Sequence, residues 1–110
     1  MSKLVRDLIP EIIRASGREP SISFVDGQDR VSALFDKFDE ELSELRLADD
    51  EAVLEEAADV YEVLLSLLAH HGFSRLDLDM AAAQKRAERG GFGAGVVLDS
   101  VSNPGSLPMN

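Results

Sequence analysis

The chain has 110 residues, 45% of them apolar and 29% charged, with no cysteine and a net charge of −10. That length suits one domain with a modest core; the missing cysteines exclude disulfides and thiolate metal sites, and the acidic balance argues against a nucleic-acid binder, which needs a basic stripe to meet phosphates. The opening MSKLVRDLIPEII is charged and broken by Pro10, unlike a signal peptide, and the most apolar run, Val63 to Ala69, is far short of the roughly 20 residues that span a bilayer, so a cytoplasmic protein is expected.

In chain order, Asp7 to Ala15 reads as a short helix with Pro10 in its first turn, where the missing N–H costs little, and Gly17 as its stop. Ser21 to Val25, between Pro20 and Asp26-Gly27, reads as a short extended segment. From about Asp29 a long amphipathic helix follows, with Val31, Leu34, Phe35, Phe38, Leu42 and Leu45 at helical spacing as its buried stripe. Glu41 falls at the edge of that stripe, where an unpaired charge is unfavourable.

A third helix is expected from about Asp50 to His70, with Asp49 and Asp50 as turn and cap residues. Its first half carries Glu55, Glu56 and Asp59 beside Val53, Ala57, Val60 and Tyr61. Its second half, Val63 to Ala69, is apolar almost all round and must be covered on several faces. A homo-oligomer, at least a dimer, provides that cover, and a central core helix in a monomer is the alternative. His70 and His71 read as helix-end cations. Ser74 and Asp77 resemble a capping box opening a fourth helix to Arg89, whose closing Lys85, Arg86 and Arg89 suit the negative end of the helix dipole. Val96 to Leu98 reads as a second short strand that pairs with Ser21–Val25. The helical domain is expected to occupy residues 1–98, with 99–110 a disordered tail.

Charge is segregated. Residues 31–74 hold 12 acidic side chains against only Lys37 and Arg46, and the rest of the chain is neutral. Within this block lie two acidic pairs, Glu41/Glu44 and Glu56/Asp59. Residues three apart on a helix are surface neighbours, so each pair forms a carboxylate pincer, and the turn Leu47 to Ala52 brings the pincers face to face. Four carboxylates so placed repel unless a divalent cation sits among them. Oxygen-only ligands select hard cations, Mg²⁺ first, with Mn²⁺ as a substitute. Glu40 adds a fifth carboxylate that could ligate a second ion or take a proton from an attacking water.

These residues carry a resemblance. Glu40-Glu41-x-x-Glu44 followed by Glu56-x-x-Asp59 resembles the EExxE…ExxD signature of the MazG-like all-α nucleoside triphosphate pyrophosphohydrolases. Within that superfamily, Glu55 to Val60 and on through Gly72 are similar to the phosphoribosyl-ATP pyrophosphohydrolase-like branch. Lys3-Leu4-Val5-Arg6-Asp7-x-Ile9-Pro10 and Lys85-x-x-x-Arg89-Gly90-Gly91-Phe92 are similar to the opening and closing motifs of a subgroup with a KLVRDxIP N-terminus. The resemblance spans roughly residues 3 to 98. It implies an all-α, four-helix-type bundle with short extended segments, and Mg²⁺-dependent cleavage of the α–β phosphate bond of a nucleotide to a nucleoside monophosphate and pyrophosphate, including house-cleaning of non-standard nucleotides. Glu41, Glu44, Glu56 and Asp59 would ligate the metal, and Glu40 and Glu41 would be the catalytic carboxylates. Lys3, Arg6, Lys85 and Arg89 are the candidate substrate-binding cations, because a triphosphate would otherwise face only carboxylates; the alternative is dipole complementation for Lys85 and Arg89 and a surface ion pair for Arg6. Phosphoribosyl-ATP pyrophosphohydrolase of histidine biosynthesis is the alternative within the same chemistry, although the KLVRDLIP opening is not a feature of the ordinary enzymes of that step. A non-catalytic helical dimerisation or regulatory module is the alternative from another class.

Overall fold

The computed structural model describes residues 2–103, and these form four helices and no strand: α1 (Ile9–Ala15), α2 (Gly27–Leu47), α3 (Val53–His70) and α4 (Arg75–Arg89). The all-α reading holds, and the two expected strands do not form. Ser21–Val25 and Val96–Leu98 have no ladder partner. A short apolar stretch without a backbone to pair with gains nothing from the extended form. Phe24, inside the first of them, is 91% exposed.

The chain divides into two compact units, with the boundary after Leu78, inside α4. In the first unit, α1 starts two residues later than its apolar spacing suggests, because the Ile9 N–H closes back on the Arg6 carbonyl (3.0 Å) and keeps Asp7 and Leu8 in a tight turn. Pro10 sits at its start, and Gly17, at φ +85°, ends it. α2 starts earlier than expected, at Gly27: Asp26 is extended (φ −147°, ψ 174°) and its carboxylate accepts from the Gly27 N–H at 2.8 Å, the geometry of an N-cap. Asp49 has the turn role expected of it but not the capping one, since the N-cap of α3 is Ala52 and no side chain caps it. Its carboxylate accepts from the N–H groups of Glu51 (3.1 Å) and Ala52 (3.0 Å), which delays α3 to Val53.

α2 and α3 pack against each other as an antiparallel hairpin. Its core is Leu34, Val63 and Leu67, with Leu4 and Phe38 half-buried against them. On α2 the inward positions are Leu34, Phe38, Glu41 and Leu45, spaced four, three and four. On α3 they are Glu56, Val60, Val63 and Leu67, spaced alike; all are buried or half-buried. This is the seam spacing of two helices packed side by side. Glu41 is thus not at the edge of the stripe but in the seam, seven residues and nearly two full turns after Leu34. Phe35 and Leu42, which the periodicity also assigns to the stripe, are 53% and 38% exposed. The seam needs only one narrow face of α2, and these two residues lie beside it.

Among the described residues, three buried apolar side chains make a thin core, at about 1.5–3 kcal/mol each. α4 opens with the expected capping box: the Ser74 N–H donates to the Asp77 carboxylate (2.8 Å) and the Asp77 N–H to the Ser74 hydroxyl (3.1 Å). In the second unit α4 ends at Gly90 (φ +80°), and residues 96–103 have no regular structure. The rest of the expected tail, 104–110, lies outside the described residues. No described helix is long and apolar enough to cross a membrane.

Candidate metal centre

The hairpin brings one carboxylate oxygen from each of Glu41, Glu56 and Asp59 within 4.8 Å of one another. The sequence explains why. Glu41 and Glu56 occupy seam positions, and Asp59 lies one turn after Glu56 on the same face of α3. The short turn after Leu47 folds the two seams together.

Burial is uneven across the group. Glu41 is 6% exposed, the one charged residue among the described residues that is fully buried. Glu56 and Asp59 are half-buried. The Glu41 carboxylate uses Oε1 to meet the Lys37 ammonium at 3.3 Å. Its Oε2 is buried with no hydrogen-bond partner, and so is Oε2 of Glu56. An orphaned buried acceptor costs about 1–3 kcal/mol, and the trio holds two of them. Burial pushes the Glu41 carboxyl above its ordinary range, the neighbouring Glu44 carboxylate pushes it further, and Lys37 partly offsets both.

Glu44 is exposed and does not join the 4.8 Å trio; it stands beside Glu41 as a neighbouring carboxylate. Glu40 points to the cations. Its Oε1 receives the Lys3 ammonium at 3.3 Å and the Lys37 ammonium at 3.5 Å. The Lys3 hydrogen bond is the chief reason that the Glu40 carboxyl is held below its ordinary range, with Lys37 adding to it. A carboxylate so held stays charged and is a weaker base.

The segment before α1 reaches the same region. Arg6 donates from Nη2 to Asp59 Oδ1 at 2.6 Å, and Lys3 reaches Glu40. Two of the four candidate substrate-binding cations are therefore brought to the acidic residues. Lys85 and Arg89 lie in the last turns of α4, within the second unit, both exposed. His70 and His71 close α3 edge to face, ring centroids 5.4 Å apart, as helix-end residues.

Lys37 is the neighbour of the acidic group that the sequence reading passed over. Its signal was present: it stands three residues before Glu40 and four before Glu41, and it is one of only two basic residues in the acidic block. Its side chain is 16% exposed, so the hairpin sets a half-buried lysine beside a buried carboxylate.

The donor set fits a hard divalent cation. Three carboxylates on two helices supply oxygen ligands only, and two orphaned oxygens lack the partner that such an ion would provide. A Cys- or His-preferring metal finds no suitable ligand among the three.

In comparisons with known proteins, 49 residues of this chain are 55% identical to an uncharacterised protein of Mycolicibacterium smegmatis, a match over 44% of this chain and 50% of that protein. The matched stretch thus spans half the length of that relative. No family model matches the chain, and no solved structure matches it.

Proposed function

We propose that the protein is a Mg²⁺-dependent nucleotide pyrophosphohydrolase of the MazG-like kind, which adds water across the α–β anhydride of a nucleotide to release a nucleoside monophosphate and pyrophosphate, and clears non-standard nucleotides. The observation that carries the reading is the convergence of Glu41, Glu56 and Asp59 from two helices, with Glu41 buried and its Oε2 unpartnered. Folding alone gives no reason to bury a carboxylate there; a cation does.

Glu41, Glu56 and Asp59 would hold the ion, with Glu44 at the rim, and Mn²⁺ would substitute for Mg²⁺. When bound, such a metal polarises a phosphoryl oxygen and neutralises charge on the leaving group. The chain's own residues do the rest. Lys37 holds Glu41 Oε1 and so presents Oε2 to the site. Glu40, kept charged by Lys3 and Lys37, orients water through its carboxylate. Lys3 and Arg6, which reach the acidic residues, supply positive charge for the phosphates, and Lys85 and Arg89 of α4 stay as the other two candidate cations.

The same reading carries a four-helix-type bundle completed by self-association. Leu8, Ile12, Phe24, Phe35 and Leu54 are each more than half exposed in the single chain, beside a thin core, and a homodimer or higher oligomer would cover such faces. A nucleotide substrate places the work in the cytoplasm.

The test is pyrophosphate release from a panel of nucleoside triphosphates and phosphoribosyl-ATP, with Mg²⁺ and with chelator. Turnover on at least one member, lost with chelator, is the expected result. Glu41→Gln and Asp59→Asn should each lower turnover by a factor of 100 or more, the scale of removing a positioned charge from an active site (about 3 kcal/mol), with circular dichroism unchanged. Near-normal turnover in either variant rules out the metal assignment. No turnover on any nucleotide, with melting unaltered by Mg²⁺ or Mn²⁺, leaves a non-catalytic helical module. Sedimentation at micromolar concentration tests the oligomer, and a stable monomer would contradict it.

A further inference from the structure

The segment Lys3–Arg6 has no helix or strand of its own, yet three contacts fasten it to the hairpin. Leu4 packs on the Leu34–Val63–Leu67 core, Lys3 meets Glu40 of α2, and Arg6 meets Asp59 of α3. These residues run from one helix of the hairpin to the other beside the acidic trio. Arg6 is the member that touches a candidate ligand, and it does so at 2.6 Å, a short charge-assisted hydrogen bond. The trio itself is more than an acidic cluster, because its member Glu41 is over nine-tenths buried and has a carboxylate oxygen without a partner.

We propose that the segment Lys3–Arg6 is a cationic strap that competes with the divalent ion for the acidic site, with Arg6 occupying Asp59 until the ion displaces it and frees its guanidinium for an anionic substrate. Two physical effects act in the same direction. An ion seeking Asp59 must share or take the oxygen that Arg6 holds, and it must sit near a like charge, which is repulsive at short range. Any loss of Asp59 positioning on removing Arg6 is small, since α3 already sets Asp59 beside Glu56. Linkage makes the effect mutual: if the strap weakens metal binding, metal binding loosens the strap by the same factor. Lys3 follows Arg6, because its partner Glu40 is outside the trio.

The Arg6–Asp59 pair is half-exposed, with 54% and 38% of the side chains accessible. A pair of that exposure is worth about 0.4–1 kcal/mol, or a factor of about two to five in an affinity. The inference rests on the metal-centre reading, and the experiment separates the two. Mn²⁺ alone is titrated into the full chain without nucleotide, following free Mn²⁺ by electron paramagnetic resonance, for wild type, Arg6→Gln and Arg6→Lys. Arg6 is exposed enough that neither substitution threatens the fold. The expected result is saturable binding in all three, about two- to fivefold tighter in Arg6→Gln, with Arg6→Lys close to wild type because it keeps the charge. As a second readout, saturating Mg²⁺ should speed hydrogen exchange in the wild-type peptide containing the Ile9 amide, which is bonded to the Arg6 carbonyl. Equal or weaker binding by Arg6→Gln, or exchange that is unchanged or slower with Mg²⁺, overturns the strap and leaves the metal centre standing. Absence of saturable Mn²⁺ binding in every form overturns both.

Discussion

The α2–α3 hairpin and α4 are both rich in charge, and they place it in opposite ways. In α4 the acid Asp77 lies in the first turn and the bases Arg86 and Arg89 in the last, where each offsets the partial charge of the helix end. In the hairpin, Glu41 and Glu56 stand at positions that the seam spacing would give to leucine, and Lys37 is drawn in after them. Charge in α4 helps the helix that carries it. Charge in the hairpin works against folding, with two buried oxygens left without partners. A sequence departs from its own folding rules mostly at functional or strained sites, and this contrast separates Glu41 from the many exposed acids on this chain.

The contrast can be broken first at Lys37. In the metal-free protein, Lys37→Met strips buried Glu41 of its counter-charge, and stability should fall by about 1–3 kcal/mol. The loss is limited because Glu41 can take up a proton instead of staying charged. Adding Glu41→Gln to Lys37→Met should recover most of it, which denaturant unfolding of the two single variants and the double variant would measure. Additive losses would show that Lys37 acts through packing and not through Glu41.

Glu41→Leu attacks the same point from the other side. Replacing the carboxylate by an apolar side chain of similar size in a Lys37→Met background, so that no ammonium is left beside it, should stabilise the metal-free protein by about 1–2 kcal/mol relative to Lys37→Met alone. The same change should abolish the rise in melting temperature that the proposed metal centre predicts for the wild type on adding Mg²⁺. A destabilised variant would mean that the Glu41 site is built for the fold and not for an ion.

Much of this was legible in the residues. The helices follow from their 3.6-residue periodicity, and the Ser74–Asp77 box from local capping chemistry that needs no tertiary partner. Glu41, Glu56 and Asp59 were visible because spacing on two adjacent helices fixes which carboxylates share a face. The strands at Ser21–Val25 and Val96–Leu98 were not legible, since a strand exists only through a distant backbone that composition does not reveal. The spacing of Lys37 to Glu40 and Glu41 was legible, but its weight was not, because that lies in burial, and burial depends on how the two seams meet. The reach of Arg6 to Asp59 crosses 53 positions, and no local pattern encodes it.

At α4 the expected effect is smaller and local. Ser74→Ala removes the hydroxyl that accepts from the Asp77 N–H and should cost that helix about 1 kcal/mol, seen as faster hydrogen exchange in its first turn. Asp77 adds a pH signature whose sign is fixed by its bonds. The Ser74 N–H holds the Asp77 carboxyl below its ordinary value, with the Ser74 hydroxyl adding to it. The folded form therefore binds its proton less readily than the unfolded form. Its contribution is fully present above the ordinary aspartate value near 3.9, and it is lost as pH falls through the lower folded value. Protection of the first turn of α4 should then be flat from pH 7 to about 5 and decline below about 4, and Asp77→Asn should remove that decline. The Lys37–Glu41 pair does not set this profile, because α4 owes this stability to Ser74, just before its start, and to Asp77 in its first turn.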